Sequence, residues 1–387
     1  MKLRPSWLRV AVGSAGALLL AAGSAGAQTL QWLGATDGTI GDGVNVSADG
    51  STLVFRVSSS EARRWTALGG SVVLGTSGTP RGISGDGTTI VGRAPGVYGF
   101  GHAWRWTAAG GLTVMPVTPS QPTPNGSYAA GISVLGRVAG GASTGFDAPA
   151  YWETTGSQTY IDSAGLGYQA FDISPDGSVI VGYRLAAACG QTCAMRWTDA
   201  GGGSFVGSAI GTNPNSGFGV AIKASSAGAV ILGVNDSSAD SGGWTWTAAT
   251  GIQLLDTGGM EEAVGLGISH DGSLIVGYVA TGANNTAAAW AGVGAPARTL
   301  AQLLLEDYGY SVGADFLALA TDVSGDGRVI VGKGRQGGVG STQVFRLELP
   351  APAAVPALGS LALGAAALLL LTSTLLVLQR PARRPGG

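Results

Sequence analysis

Short apolar runs alternate along the chain with turns rich in glycine, and one such unit is repeated. The segment ISGDGTTIVG begins at residue 83, near copies begin at residues 173, 268 and 323, and a looser copy begins at residue 46. Apolar residues lie on both sides of an Asp-Gly pair, which is typical of a β-hairpin because Asp-Gly supplies the positive φ angles of a two-residue turn. The repeat therefore predicts one such hairpin per unit.

A second unit, built around tryptophan, follows the first. ARRWTALGG begins at residue 62, AWRWTAAGG at 103 and AMRWTDAGG at 194. The Arg-Trp-Thr segment predicts a third strand, Gly-Gly a second tight turn, and the apolar run after it a fourth strand. Seven units result, and their turn glycines are Gly50, Gly87, Gly136, Gly177, Gly228, Gly272 and Gly327. Helical periodicity is present only at the two ends of the chain.

Four short strands per unit, at a mean period of about 46 residues, are typical of the blades of a β-propeller. A parallel β-helix is the alternative, but its coils are shorter and need no pair of glycine turns. The run TLQWLGATDG from residue 29 resembles a fourth strand, whereas the last unit ends with its third strand, VFRLELP from 344. The sequence thus predicts an all-β, seven-bladed β-propeller closed by an N-terminal strand at residues 30–33, which removes two sheet edges.

Tryptophan occupies the same position in six successive units, and Leu347 occupies it in the seventh. A large side chain repeated once per blade is best placed between blades, where its burial contributes roughly 1.5–3 kcal/mol. An aromatic platform for sugar binding is the alternative. The residues predicted to pack between blades are Trp65, Trp106, Trp152, Trp197, Trp246 and Trp290.

Aspartate precedes the turn glycine in five of the units. Each carboxylate is next to the glycine that its turn needs, which favours a role in forming the turn. Calcium binding is the alternative, but a calcium site gathers several oxygen ligands from one loop, whereas one residue per blade is spread around the ring. The predicted turn aspartates are Asp49, Asp86, Asp176, Asp271 and Asp326.

Both ends of the chain differ from the repeats. Residues 1–27 have a basic start, an apolar run and an Ala-Gly-Ala sequence at 25–27, as in a cleavable signal peptide. Residues 354–378 carry no charge and as a helix would reach about 37 Å, enough to span a bilayer. Three arginines follow and predict a cytoplasmic tail. The domains predicted are a signal peptide (1–27), the propeller (28–350), and a linker, transmembrane helix and basic tail (351–387).

Charge and cysteine content limit the function classes. Removing the two ends leaves 15 basic and 23 acidic residues, a net charge of about −8, and an acidic body is a poor nucleic-acid binder. The two cysteines, Cys189 and Cys193, lie in one predicted loop of an exported chain. A small disulfide is the favoured interpretation, and half of a metal site is the alternative.

The alternation of GISxDGxxIVG with AxRWTxxGG resembles the HAF-type extracellular repeat of bacterial exported proteins, over about residues 30–349. The resemblance implies export and a repeat scaffold. The C-terminal segment is similar to the sorting signals of the PEP-CTERM type and its IPTL-like relatives, with Ala357 where an acidic residue or a threonine is usual. It implies removal of the helix by a membrane-embedded sorting protease, after signal peptidase has acted at the other end. The residues that carry this similarity are Val355, Pro356, Arg380, Arg383 and Arg384.

Candidate catalytic groups are few. The two histidines, His102 and His270, have no metal-binding spacing, and His270 lies in a turn where solvent exposure is expected. Two GxSxG matches and one GxGxxG match lie outside the strand-to-helix context that each needs. We therefore predict no catalytic, cofactor or metal site, and an exported, non-catalytic scaffold or binding module for a glycan, exopolysaccharide or partner protein. It would be membrane-anchored, or released to the cell surface or exterior. A sialidase- or lyase-like enzyme with its site in the propeller channel is the alternative.

Overall fold

A computed structural model of the chain describes residues 29–36, 43–59, 61–75, 78–94, 101–117, 126–143, 147–154, 156, 158–161, 167–185, 192–211, 219–235, 242–282 and 284–350. Seven four-stranded antiparallel sheets form a seven-bladed β-propeller, which confirms the predicted fold class. In each blade the innermost strand is the one that leads directly into the repeated turn, and these inner strands contact one another around the whole ring.

The first strand of the chain, β1 (Thr29–Ala35), belongs to the last blade, and the other strands follow blade by blade. Blade 1 contains β2 (Asn45–Val46), β3 (Thr52–Ser58), β4 (Glu61–Thr66) and β5 (Gly70–Val73). Blade 2 contains β6 (Thr79–Ile83), β7 (Thr89–Ala94), β8 (His102–Thr107) and β9 (Gly111–Val114). Blade 3 contains β10 (Gly126–Ile132), β11 (Val138–Ser143), β12 (Asp147–Trp152) and β13 (Gln158–Tyr160).

The remaining blades repeat this plan. Blade 4 contains β14 (Tyr168–Ile173), β15 (Val179–Leu185), β16 (Thr192–Asp199) and β17 (Phe205–Gly211). Blade 5 contains β18 (Val220–Ala224), β19 (Ile231–Val234), β20 (Gly243–Thr247) and β21 (Gly251–Leu254). Blade 6 contains β22 (Glu262–Ile268), β23 (Ile275–Thr281), β24 (Asn284–Trp290) and β25 (Arg298–Thr299). Blade 7 contains β26 (Phe316–Val323), β27 (Val329–Arg335) and β28 (Gln343–Glu348), followed in space by β1.

The ring is closed as the sequence predicted, by pairing the two ends of the propeller. Strand β1 runs antiparallel to β28, with Leu30 opposite Leu347 and Trp32 opposite Phe345. The Trp32 ring lies edge-on to Phe345 at a centroid distance of 6.1 Å, and its Nε1 donates a hydrogen bond to Asp315 at 2.8 Å. The closure therefore combines backbone pairing with side-chain packing.

The hydrophobic core is divided into clusters that each lie between two neighbouring blades. The six repeated tryptophans take part in six of these clusters and Leu347 in the seventh. Trp152, Trp197 and Trp290 are almost fully buried, whereas Trp106 and Trp246 are half-buried. The arginine before the tryptophan also reaches the next blade: Arg64 lies over the Trp106 ring at 6.0 Å.

One helix within the propeller was not predicted. Helix α1 (Leu300–Tyr308) follows the two-residue strand β25 and begins with a capping box, in which Thr299 and Gln302 each hydrogen-bond to the other's backbone N–H. Leu300 and Leu304 are buried in the cluster between blades 6 and 7. The expectation that helices occur only at the chain ends was wrong, because a helix of nine residues leaves too short a periodic pattern to stand out.

Several sequence predictions concern residues outside the described ranges. These are the signal peptide, the C-terminal helix with Val355, Pro356, Arg380, Arg383 and Arg384, and Cys189. Within the described ranges, no helix has the length and apolar character to cross a membrane. Cys193 is buried and disulfide-bonded.

Candidate functional site

The Ser-x-Asp-Gly turn joins the two inner strands of a blade, and it differs from the predicted two-residue hairpin. In blade 2 the backbone N–H of Ser84 donates to Thr89 O at 2.8 Å and that of Gly87 donates to Ser84 O at 2.9 Å, so the loop has four residues. Ser84 Oγ accepts from the N–H of Thr89 at 3.0 Å and donates to Asp86 Oδ1 at 2.6 Å. The serine side chain thus supplies a hydrogen-bond partner to the backbone N–H of Thr89 and to the carboxylate of Asp86.

All five aspartates lie in such turns, each in a separate blade. Every one accepts a hydrogen bond from the serine two residues before it. These hydrogen bonds hold the pKa of Asp49, Asp86, Asp176 and Asp271 below its ordinary value. Among the described residues, no three side chains of the His, Cys, Asp or Glu type lie together as a metal site would need. The geometry therefore supports a role for these carboxylates in the turns.

The structure predicts that the Asp86→Asn variant is slightly less stable than the wild type. Asp86 is exposed, so we expect a loss of less than about 1 kcal/mol in the free energy of unfolding at pH 7. Because its folded-state pKa is lowered, the contribution is present above the unfolded pKa and is lost as the pH falls through the folded pKa. Urea unfolding of both proteins at pH 7 and pH 3 measures this, and an equal difference at both values would contradict it.

These turns surround one end of the propeller axis, here called the turn face. Backbone hydrogen bonds join neighbouring turns: Gly325 N–H donates to Ala48 O at 2.9 Å and His270 N–H donates to Gly325 O at 3.0 Å. Gly87, at φ +69°, packs so closely on blade 1 that a Cβ would lie 2.6 Å from the Cβ of Thr52. Neighbouring turns are therefore in direct contact at this face. The opposite end of the axis is called the mouth face.

A β-bulge occurs in the inner strand of each of blades 2 to 7. In blade 4, Ala170 lies opposite Gly182 and Asp172 lies opposite Val181, so Phe171 has no partner of its own. The same register shift is present in the other five inner strands. A bulge breaks the alternation of a strand, which allows two successive residues to face the axis. The residues at the bulge position are Arg81, Ala130, Phe171, Ile222, Leu266 and Thr321.

The residue after the bulge, here called the axial position, is the first glycine of the repeated Gly-Ile-Ser. Glycine is present there in blades 2, 3 and 6, and a charged residue replaces it in blades 4, 5 and 7. Space at the axis is limited, since a Cβ at Gly131 would lie 2.5 Å from Asp172 Oδ1. From blade 1 to blade 7 the axial positions hold Asn45, Gly82, Gly131, Asp172, Lys223, Gly267 and Asp322.

The three charged axial residues form one group, in which Asp172 is buried and Lys223 and Asp322 are half-buried. Lys223 Nζ lies 4.0 Å from Asp172 Oδ1. Asp172 Oδ2 accepts from the N–H of Ala224 at 3.2 Å, and Asp322 Oδ2 accepts from the N–H of Val46 at 3.1 Å, so each carboxylate joins its blade to the next one. Burial raises the pKa of both Asp172 and Asp322, although the Lys223 cation opposes this. The two carboxylates in turn raise the pKa of Lys223 and keep its amine charged.

His270 lies beside this group and is half-buried, so it is less exposed to solvent than the sequence predicted. Its imidazole packs flat on the backbone of the next blade, where a Cβ at Gly325 would lie 2.7 Å from Nδ1. Burial lowers the pKa of His270, and the charge of Asp322 opposes the shift. The side chain of His270, in the turn of blade 6, therefore faces the channel axis.

Two cavities occupy the channel, one on each side of the axial positions. The one toward the turn face has a volume of about 80 Å³, room for a few waters, and Asp172, Asp322, Lys223 and His270 are in its wall. The one toward the mouth face has a volume of about 280 Å³. Its wall combines cationic, polar and apolar side chains: Asn45, Pro80, Arg81, Ala130, Phe171, Ile222, Lys223, Leu266 and Thr321, with Gly43.

None of the charged residues of the channel was predicted as a site residue. The signal that could have found them is the departure of single units from the repeat, because Asp-Ile-Ser, Lys-Ala-Ser and Asp-Val-Ser replace Gly-Ile-Ser at 172, 223 and 322. The matching serines were also overlooked. The turns of blades 3 and 5 lack the aspartate but retain a serine, Ser133 or Ser225, whose Oγ accepts a backbone N–H.

Comparisons with solved structures agree with the fold. The chain is similar to a puromycin hydrolase complexed with PGG at 16% identity and a TM-score of 0.53, covering 79% of this chain and 51% of that one. It therefore spans about half the length of that hydrolase. It is also similar to a putative TolB from Agrobacterium tumefaciens at 13% identity and a TM-score of 0.45, covering 73% of this chain and 94% of that one. The sequence matches no family model and no curated protein.

Proposed function

We propose that the protein is an exported, non-catalytic binding scaffold whose ligand site is the channel cavity at the mouth face. The observation that supports this most strongly is the axial position. Glycine suffices there in three blades, yet Asp172, Lys223 and Asp322 replace it in blades that meet at the channel. Of these three residues, Lys223 also lines the cavity at the mouth face.

The cavity at the mouth face has the composition of a binding site. Binding pockets are mostly apolar with a few polar groups that orient the ligand, and here Phe171, Ile222 and Leu266 accompany Arg81, Lys223 and Thr321. The bulges make this possible, since they bring residues into the channel that a regular strand would direct elsewhere.

The arrangement of the acids favours binding over catalysis. Asp172 and Asp322 line the smaller cavity, whose volume of about 80 Å³ is too small for a sugar or a peptide. Both carboxylates accept backbone hydrogen bonds from the next blade. A general acid or base must reach the substrate directly or through one water, and these groups are instead used to join blades.

The proposal that the protein is exported rests on the predicted signal peptide and on the predicted C-terminal sorting segment. The signal peptide supplies entry to the export pathway, and the C-terminal segment holds the propeller at the membrane until a sorting protease releases it. The ligand is then a component of the cell envelope, a polysaccharide or a partner protein.

The test fills the cavity without changing its charge. Ala130 is buried at the bulge position of blade 3, and Phe171 occupies the corresponding position in blade 4, so a phenylalanine is compatible with this backbone. We expect the purified Ala130→Phe chain to bind labelled envelope polysaccharide from the producing cells at least about tenfold more weakly than the wild type. Isothermal titration calorimetry measures the affinity, and thermal unfolding checks the fold.

The matched control is Ala67→Phe, which places the same side chain at an exposed turn of blade 1. It should bind as the wild type does. Equal affinity of Ala130→Phe and wild type would exclude the channel as the site. Release of reducing sugars by the wild type during the titration would contradict the non-catalytic role.

A further inference from the structure

A further cavity opens beside the channel, between blades 1 and 2, and two arginines line it. It has a volume of about 270 Å³, and its described wall contains Arg56, Arg93, Thr79, Ser59 and Ala94 with two glycines. Arg56 is held in place there, because its Nε donates to Ser58 O and its Nη1 donates to Thr79 Oγ1, both at 3.0 Å. Arg93 is exposed at the end of β7, and within the described residues no carboxylate is paired with it.

This cavity and the channel cavity lie on the same face and share a wall. Strands β3 and β7 end at the mouth face and β6 begins there, because neighbouring strands are antiparallel. Thr79 lines the cavity between the blades, and the next two residues, Pro80 and Arg81, line the channel. A ligand lying across the start of β6 would therefore contact both cavities.

The described walls of these two cavities are basic, although the protein as a whole is acidic. The body carries about −8, whereas the walls include Arg56, Arg81 and Arg93 and no carboxylate, with Lys223 held beside Asp172 at the inner end of the channel cavity. The Arg guanidinium matches a carboxylate in a two-pronged geometry and stays charged at any pH of the cell exterior. Concave surfaces lined by one sign of charge also concentrate ligands of the other sign.

We propose that the channel mouth and the cavity between blades 1 and 2 together bind a carboxylate-bearing polysaccharide. The carboxylates of successive sugars pair with Arg93 and Arg81, and the apolar face of a sugar ring packs on Phe171 and Pro80. This assignment rests on the proposed function, which places an envelope ligand in the channel, and it adds the chemistry of that ligand.

The test compares two polymers with one backbone, polygalacturonate and its methyl ester, which removes the charge. The full chain is titrated with each in low-salt buffer, as wild type and as Arg93→Gln. We expect wild type to bind polygalacturonate, to bind the ester at least about tenfold more weakly, and to lose affinity as salt screens the charges. Arg93→Gln should bind polygalacturonate about tenfold more weakly than wild type, since one charge-assisted pair is lost.

The matched control is Arg63→Gln. Arg63 is an arginine of blade 1 that lines neither cavity and pairs with Glu61, and its loss changes the net charge equally. It should bind as wild type does. Equal losses in Arg93→Gln and Arg63→Gln, equal affinity for acid and ester, or no binding of polygalacturonate would each overturn the inference. The Ala130→Phe test with envelope polysaccharide would then still decide whether the channel is a binding site.

Discussion

Replacing Trp152 by alanine is expected to lower the free energy of unfolding by about 3–5 kcal/mol, the range for fully buried large aromatics. Trp152 has no solvent exposure and packs in the cluster between blades 2 and 3 with Val91, Met115 and Val138. Its Nε1 donates to Pro116 O at 2.8 Å, so the variant also leaves a carbonyl without its donor. Urea unfolding followed by tryptophan fluorescence or circular dichroism gives the difference.

The matched control is Trp106→Ala, the same substitution at the same repeat position one blade earlier. Trp106 is half-buried and contacts Arg64 of the preceding blade. We expect a loss roughly half as large, because the transfer free energy scales with the apolar area removed from water. Equal losses in the two variants would mean that burial between blades does not determine the effect of this position.

Replacing Lys223 by methionine is the second change with a large expected effect. It leaves the buried carboxylate of Asp172 and the half-buried carboxylate of Asp322 without their cation. Breaking a fully buried pair costs about 3–5 kcal/mol. We expect about 2–3 kcal/mol here at pH 7, because Lys223 keeps 26% of its side-chain exposure and lies 4.0 Å from Asp172.

This loss should depend on pH. Burial raises the pKa of Asp172 and Asp322 above the unfolded value, so the stability linked to their protonation is complete below the unfolded pKa. It is lost as the pH rises through the folded pKa. Without Lys223 both folded pKa values rise further. The difference between variant and wild type should therefore be small near pH 4 and complete at neutral pH, and a pH-independent difference would contradict the account.

A double-mutant cycle separates the charge effect from packing. In the Asp172→Asn/Lys223→Met chain one of the two buried charges has been removed together with the cation. We expect the double variant to lose less stability than the sum of the two single variants, since the residues are in contact and their effects are not additive. Additive losses would show that Lys223 acts through packing alone.

The architecture could be predicted because each unit of the repeat places the same turn and strand motifs in the same order. In the well-preserved copies Ser-x-Asp-Gly follows the first strand and Arg-Trp-Thr ends the third. Seven such units at this period favour a propeller over a parallel β-helix. Closure could be predicted from the spare strand at Trp32 and the missing strand after Leu349. The blade architecture and the ring closure could both be predicted because they depend only on the order of the strand and turn motifs along the chain.

The candidate site could not be predicted in the same way, because it depends on departures from the repeat. Lys223 is preceded and followed by ordinary strand residues, and its position facing the axis depends on a bulge that leaves no mark in the apolar alternation. Asp172 and Asp322 are far apart in the chain and meet only because blades 4 and 7 face one channel. Turn length was also misjudged, because the bridging role of Ser84 depends on a hydrogen bond rather than on a backbone preference.

We expect the ligand to lie at the mouth face, beside the residues that depart from the repeat. A crystal structure of the chain with an oligogalacturonate tests this most directly. The account predicts a sugar carboxylate within hydrogen-bonding distance of Arg93 or Arg81, and a sugar ring against Phe171. Ligand at the turn face or along the outer strands, with the channel cavity empty, would contradict it.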